Sequence, residues 1–142
     1  ERFEVMAELE AMCARLAAGR ATEDDLARIR QAQAGCEKAA AIGDSDGYYQ
    51  ENTLFHQAIY RAAGNQFLEA EALRLQTMLQ PYRRRQLQLR GRMMRSLQEH
   101  RCVAEMIEAG QPEAAAAAMS GHVIIQGDCF HELVASLRTG EA

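Results

Sequence analysis

Apolar positions recur at intervals of three and four along almost the whole chain, the spacing of one face of an α-helix. Over residues 1–18 the series is Phe3, Met6, Leu9, Met12, Cys13 and Leu16, and Gly19 is the predicted stop. A second helix is predicted from Thr22, a good N-cap, with Glu23, Asp24 and Asp25 in a first turn where negative charge suits the helix dipole. Gly43 closes it. A third begins at Asp44 or Ser45 and ends at Gly64; Leu54, Phe55, Ala58, Ile59 and Ala62 form its stripe, with His56 on the flank. Asn65 caps a fourth, running through Phe67, Leu68, Leu73, Leu75 and Leu79, which Pro81 is expected to kink or break. After the basic stretch YRRRQLQLRGR, a fifth helix covers roughly 92–109 and stops at Gly110. Pro112 opens a sixth, reaching about Leu137, within which Gly121 and Gly127 weaken the helix and admit a close neighbour. The tail RTGEA is expected to fray. With no internal repeat and no domain boundary, the pattern predicts an all-α fold, a single antiparallel helical bundle with short connections.

Composition sharpens this picture. The 142 residues suffice for one real core, and a hydrophobic content of 48% excludes general disorder. Aromatics are only 6% and prolines only 2, so good helix formers dominate. The net charge of −4 argues against gripping nucleic acid through phosphates. No apolar run is long enough to span a bilayer and no signal peptide is visible, so a cytoplasmic, non-membrane protein is expected. Cys13, Cys36, Cys102 and Cys129 lack any C-x-x-C pairing and read as small buried hydrophobes of a reducing compartment; the methionines read as core filler. The chain begins at Glu1 without an initiator Met, as a fragment of a longer protein would.

The candidate chemistry lies in the histidines. On its helix, His100 shares a face with Met93, Ser96, Leu97, Val103, Ala104 and Ile107. His122 shares one with Ala115, Ala118, Met119, Ile125, Gln126, Cys129 and Leu133, while His131 falls on the opposite side. Three imidazoles, His56, His100 and His122, therefore point toward one core from three helices. A single inward histidine is more often a hydrogen-bonded core residue than a ligand. Three converging ones, on stripes that offer few polar partners, favour a shared divalent metal, and imidazole suits Zn, Ni, Cu or Fe. Asn52, one turn before His56, can add an amide oxygen; being neutral, it leaves the site more positive than an Asp would.

The stretches FEVMAELEAMCARLAAGRAT, NTLFHQAIYRAAGN and SLQEHRCVAEMIEAGQPEAAAAAMSGH resemble the C-terminal effector-binding (FCD) domain of GntR-family transcription regulators of the FadR type, over nearly the whole chain. The family pattern places an Asp or Asn four before the His of an FH pair, then an EH, then a final His, matched here by Asn52, His56, His100 and His122. The resemblance implies a bundle of six to seven helices, a buried metal (zinc first, with nickel, iron or manganese as alternatives), a small carboxylate effector and a homodimer. It also implies that DNA is contacted only through a winged helix-turn-helix domain that precedes this one and is absent from this chain. Asn52 stands where an Asp is common, and Met6 where the first helix often carries an Arg.

The expected site has three histidines and Asn52 around a metal, with one or two coordination positions open to water or an effector. Ser96 and Gln126 share the inward faces and are candidate effector or supporting contacts, or simply packed polar residues. Tyr49 and Tyr60 are candidates to line a pocket. The triplet Arg83, Arg84, Arg85 reads as a solvated face, with Arg84 the candidate anion contact. Two other readings compete: a metal-dependent hydrolase or oxygenase, and a metal-stapled dimerisation module. The first would want a carboxylate base. Glu51 is placed for that and Glu99 points elsewhere, but neither H-E-x-x-H nor paired E-x-x-H occurs, which ranks catalysis below sensing.

Overall fold

In the computed structural model, which describes residues 1–140, the chain forms six α-helices and, among those residues, no strand. They are α1 (Arg2–Arg20), α2 (Glu23–Ala41), α3 (Ser45–Ala62), α4 (Gln66–Gln86), α5 (Arg92–Glu108) and α6 (Pro112–Thr139). The fold class read from periodicity is the observed one. Of the tail expected to fray, Arg138 and Thr139 belong to α6 and Gly140 caps it; residues 141–142 lie outside the described part.

The helix starts follow from side-chain caps. Thr22 Oγ1 accepts from the Asp25 N–H (3.2 Å) and Asp25 Oδ2 from the Thr22 N–H (3.0 Å), a reciprocal box that satisfies two otherwise unpaired donors. Asp44 and Asn65 cap α3 and α4 by accepting from Gly47 and Leu68. Gly43, Gly64 and Gly110 end their helices with positive φ, as expected of residues without a Cβ. Gly19 does not: α1 runs one residue further and leaves through Ala21 in an extended conformation. α4 is not broken at Pro81 but continues to Gln86.

α1 is the central helix, packed against α3, α4, α5 and α6. It runs antiparallel to α6, with Phe3 against Gly127 at one end and Arg15 paired with Glu113 at the other. α2 pairs with α3 and leans on α5. The main core gathers Met6, Cys13, Phe55, Ile59, Leu79, Val103, Ile107, Met119 and Val123. A smaller core joins Cys36, Tyr48, Tyr49, Leu87 and Leu97. On α3 the inward face is Asn52, Phe55, His56 and Ile59, so His56 is central and Leu54, counted in the stripe, is exposed; so is Phe67 on α4. Cys102 is also exposed, against the expectation for the four cysteines, and Met12, Met78 and Met94 are not core filler.

The two glycines of α6 separate cleanly. A Cβ on Gly127 would lie 2.9 Å from Phe3 Cγ, whereas one on Gly121 would meet nothing within 4 Å. Only Gly127 serves a close approach. Gly127→Ala should therefore lose about 1–3 kcal/mol by overpacking, and Gly121→Ala should gain about 0.5–1 kcal/mol. Urea unfolding midpoints moving in opposite directions are the expected outcome; equal shifts would contradict it.

Candidate metal centre

His56 from α3, His100 from α5 and His122 from α6 meet in the interior, with a ligand nitrogen of each within 4.8 Å of the others. All three are buried, and His131 is exposed as its position on α6 predicted. Asn52 is buried one turn before His56.

Two of the rings lie against carboxylates. His122 Nδ1 lies 2.7 Å from Glu99 Oε1, and His56 Nδ1 lies 3.0 Å from Glu10 Oε1. Both carboxylates are also gripped by arginines. Arg92 donates to Glu99 through both terminal nitrogens (3.0 and 2.8 Å) and through Nε to Gln86 Oε1 (2.7 Å). Arg83 donates to both oxygens of Glu10 (3.2 and 3.4 Å), which also accepts from the Tyr60 hydroxyl. An ionised carboxylate only accepts, so His122, bonded to Glu99, carries its proton on Nδ1 and exposes the lone pair of Nε2.

The Nε2 atoms of His122 and His56 face each other at 3.3 Å. Two nitrogens bound to one tetrahedral zinc at about 2.0–2.1 Å stand about 3.3–3.4 Å apart. The third ring supports the same reading. His100 stacks on Phe55 (centroids 4.2 Å apart) and lies nearly parallel to Tyr48, but neither of its nitrogens has a hydrogen-bond partner. Leaving such groups unpaired costs about 1–3 kcal/mol each. The donor set thus fits a divalent cation held by His56, His100 and His122.

Electrostatics keep the rings neutral. Burial pushes His56 and His100 well below the usual imidazole range, and neighbouring positive charge pushes the same way. Burial also lowers His122, although Glu99 pulls it back up. Burial raises the Glu99 carboxyl, but hydrogen bonds from His122 and Arg92 outweigh it and hold the group below its ordinary value. Glu10 is raised by burial, against the pull of Arg83. The metal-free protein should accordingly lose stability in mild acid. Below the unfolded histidine pKa, about 6.5, the unfolded chain takes up protons that the folded rings refuse, so stability falls as pH falls. The slope is roughly 1 kcal/mol per pH unit for each histidine. Glu10 has the opposite sign and offsets at most one of these protons. Urea titrations of metal-free protein between pH 7 and 5 measure this, and flat stability would contradict it.

The other sequence candidates fall in different places. Gln126 belongs to the site: its amide nitrogen is 2.9 Å from His122 Nε2. Ser96 is buried and accepts from the Tyr48 hydroxyl at 2.8 Å, and is not in hydrogen-bond contact with the histidines. Tyr60 reaches the site through Glu10, whereas Tyr49 belongs to the smaller core. Arg84 is exposed and pairs with Asp46, away from the histidines. The member of the triplet that reaches the centre is Arg83, buried rather than solvated, because α4 continues past Pro81 and turns that residue inward. Glu99 does not point elsewhere; it holds His122. Glu10 is an acidic residue in register with Met6, Cys13 and Ala17, and Arg92 a basic one two turns before Glu99, but neither signal names a partner.

The centre is closed. The most pronounced surface clefts, one of about 470 Å³ lined by Arg28, Glu51, Leu54, Arg61 and Leu73 among others, include none of the three histidines. The open room expected beside the metal is filled by Arg83 and Gln126, with Arg83 Nη2 3.3 Å from both His56 nitrogens.

No curated protein sequence matches the chain. Among solved structures it is similar to E. coli McbR/YncC, with a TM-score of 0.84 at 18% identity over 94% of this chain and 64% of that one. It is similar also to Streptococcus agalactiae GntR, with a TM-score of 0.73 at 24% identity over 89% of this chain and 57% of that one. The chain spans less than two thirds of the length of either, and the likeness is one of fold. The sequence pattern of the FCD domain matches residues 1–124, all six helix starts and all three histidines included, and on that match the chain belongs to the FCD domain family.

Proposed function

We propose that this chain is the effector-sensing domain of a GntR-type transcription regulator of the FadR kind. In this reading it is cytoplasmic and homodimeric, and acts on DNA through a winged helix-turn-helix domain that precedes it. Its signal is a small carboxylate metabolite received at a buried divalent metal, zinc by preference and nickel, iron or manganese as alternatives. The observation that carries the reading is His100, buried with both ring nitrogens unpaired beside the Nε2 atoms of His56 and His122, which lie 3.3 Å apart.

His56, His100 and His122 would hold the cation, and Asn52 is close enough in sequence to add an oxygen. A bound divalent cation supplies a positive attachment point for an anion. The surrounding charges make that attraction strong: Glu10 with Arg83 and Glu99 with Arg92 cancel in pairs, the histidines and Asn52 are neutral, and the loaded centre carries the full charge of its ion. The closure of the site favours sensing too. An effector reaches the interior only if helices move, so it binds one arrangement better than another, which is the requirement for a signal. Both nearby carboxylates are committed to arginine and imidazole, and neither is free as a general base; this favours regulation over hydrolysis.

Thermal melts of metal-free protein with zinc, then zinc plus a series of carboxylates, test the reading. Zinc should raise Tm, and one or more carboxylates should raise it further. A zinc effect without any carboxylate effect would leave a structural staple, and no zinc effect would remove the metal.

A further inference from the structure

The buried polar atom left over at the centre belongs to Gln126. Its amide nitrogen is 2.9 Å from His122 Nε2, while its Oε1 is buried and has no hydrogen-bond partner. The nitrogen arrangement makes sense only with the lone pair of His122 on Nε2, where an amide N–H can donate to it, and Glu99 at Nδ1 fixes that tautomer. The amide therefore occupies the direction in which a cation would approach His122.

We infer that Gln126 is an oxygen donor of the metal centre, its amide turning over between the metal-free and the loaded protein. The inference rests on the metal reading above. Without an ion, the N–H end caps the His122 lone pair and leaves Oε1 stranded. Once the lone pair is given to a cation, an N–H aimed at that charge is repelled and a carbonyl oxygen is attracted. Half a turn about the last side-chain bond exchanges the two atoms at almost no steric cost, since the amide is nearly symmetric in shape. The exchange offers Oε1 to the cation, directly or through water. Gln126 lies one helical turn from His122 on α6, so donor and histidine are carried by one rigid element. Oxygen from this side complements the neutral Asn52 on α3 and completes a mixed nitrogen and oxygen set without adding charge, which keeps the centre attractive to an anionic effector.

Zinc affinity, read by competition with a chromophoric chelator, tests this on the purified chain. Gln126→Leu should bind zinc about 10- to 100-fold more weakly, the range typical of supporting groups. It should fold normally, because it removes a polar group that is half unpaired. Gln126→Glu, which supplies a charged oxygen in the same place, should bind at least about tenfold more tightly. Side-chain amide NMR of the parent protein should show the Gln126 NH2 signals shift on zinc addition. Either variant binding zinc with the parent's strength overturns the assignment of Gln126 while leaving the histidine site intact. A parent protein that takes up no zinc overturns the metal reading itself, and this inference with it.

Discussion

Glu10→Ala should cost about 3–5 kcal/mol of folding stability, the usual penalty for breaking a buried ion pair from one side. The carboxylate is buried in α1, accepts from two other side chains, the Arg83 guanidinium and the Tyr60 hydroxyl, and lies 3.0 Å from His56 Nδ1. Truncation strands both donors. Arg83 is the more expensive, because a guanidinium cannot shed its charge and Arg83 has almost no exposure. The pair as such need not stabilise the fold, since its desolvation cost can match its attraction. Glu10→Leu combined with Arg83→Met should therefore recover most of the loss. A double-mutant cycle by urea unfolding measures both statements. A single variant within about 1 kcal/mol of the parent would show that water reaches Arg83 and that the pair is not the buried contact described. Because a domain of this size holds only about 5–15 kcal/mol in total, the single variant should also be visibly less stable at physiological temperature.

That pair is not legible in the sequence. The histidines were legible because each sits among apolar residues at helical spacing: Met93, Leu97, Val103 and Ile107 around His100, and Ala115, Met119 and Cys129 around His122. A polar group on such a stripe is conspicuous. Glu10 sits on a stripe too, but a glutamate is ordinarily solvated, and what makes burial tolerable is an arginine 73 residues later on another helix. No local pattern encodes a pairing at that separation. Arg83 was further hidden by Pro81. The triplet reads as a solvated face, and Pro81 as a kink or break ahead of it; α4 instead continues past Pro81 and turns Arg83 inward. Glu99 was missed for a related reason. It is a neighbour of His100 in sequence and points away from that ring, but on the wheel of α5 it is aligned with Arg92 two turns back, and together they meet α6 at His122. Helix ends were legible at Gly43, Gly64 and Gly110, where a positive φ demands glycine, and not at Gly19, which sits inside α1.

His100→Leu should move metal-free stability the other way, upward by about 1–3 kcal/mol, while abolishing the stabilisation that zinc confers. The parent ring is buried, stacked on Phe55, and lacks partners for both nitrogens. Leucine is close to it in size and carries nothing to satisfy, so without metal the replacement removes a penalty. With metal the balance reverses. Free zinc at 100 times its dissociation constant should stabilise the parent by about 2.7 kcal/mol, and the variant by almost nothing. Urea unfolding with and without zinc gives the four stabilities needed. The parent should be the less stable of the two when stripped, and should close most or all of that gap when loaded. A variant that loses stability without metal would mean that His100 is satisfied in the core; one that keeps the full zinc increment would mean that the cation is held elsewhere. The opposite signs follow from one physical fact. A buried imidazole with two unpaired nitrogens is a cost to the fold that only a ligand repays, and His100 is such a ring where a simple core would carry a leucine.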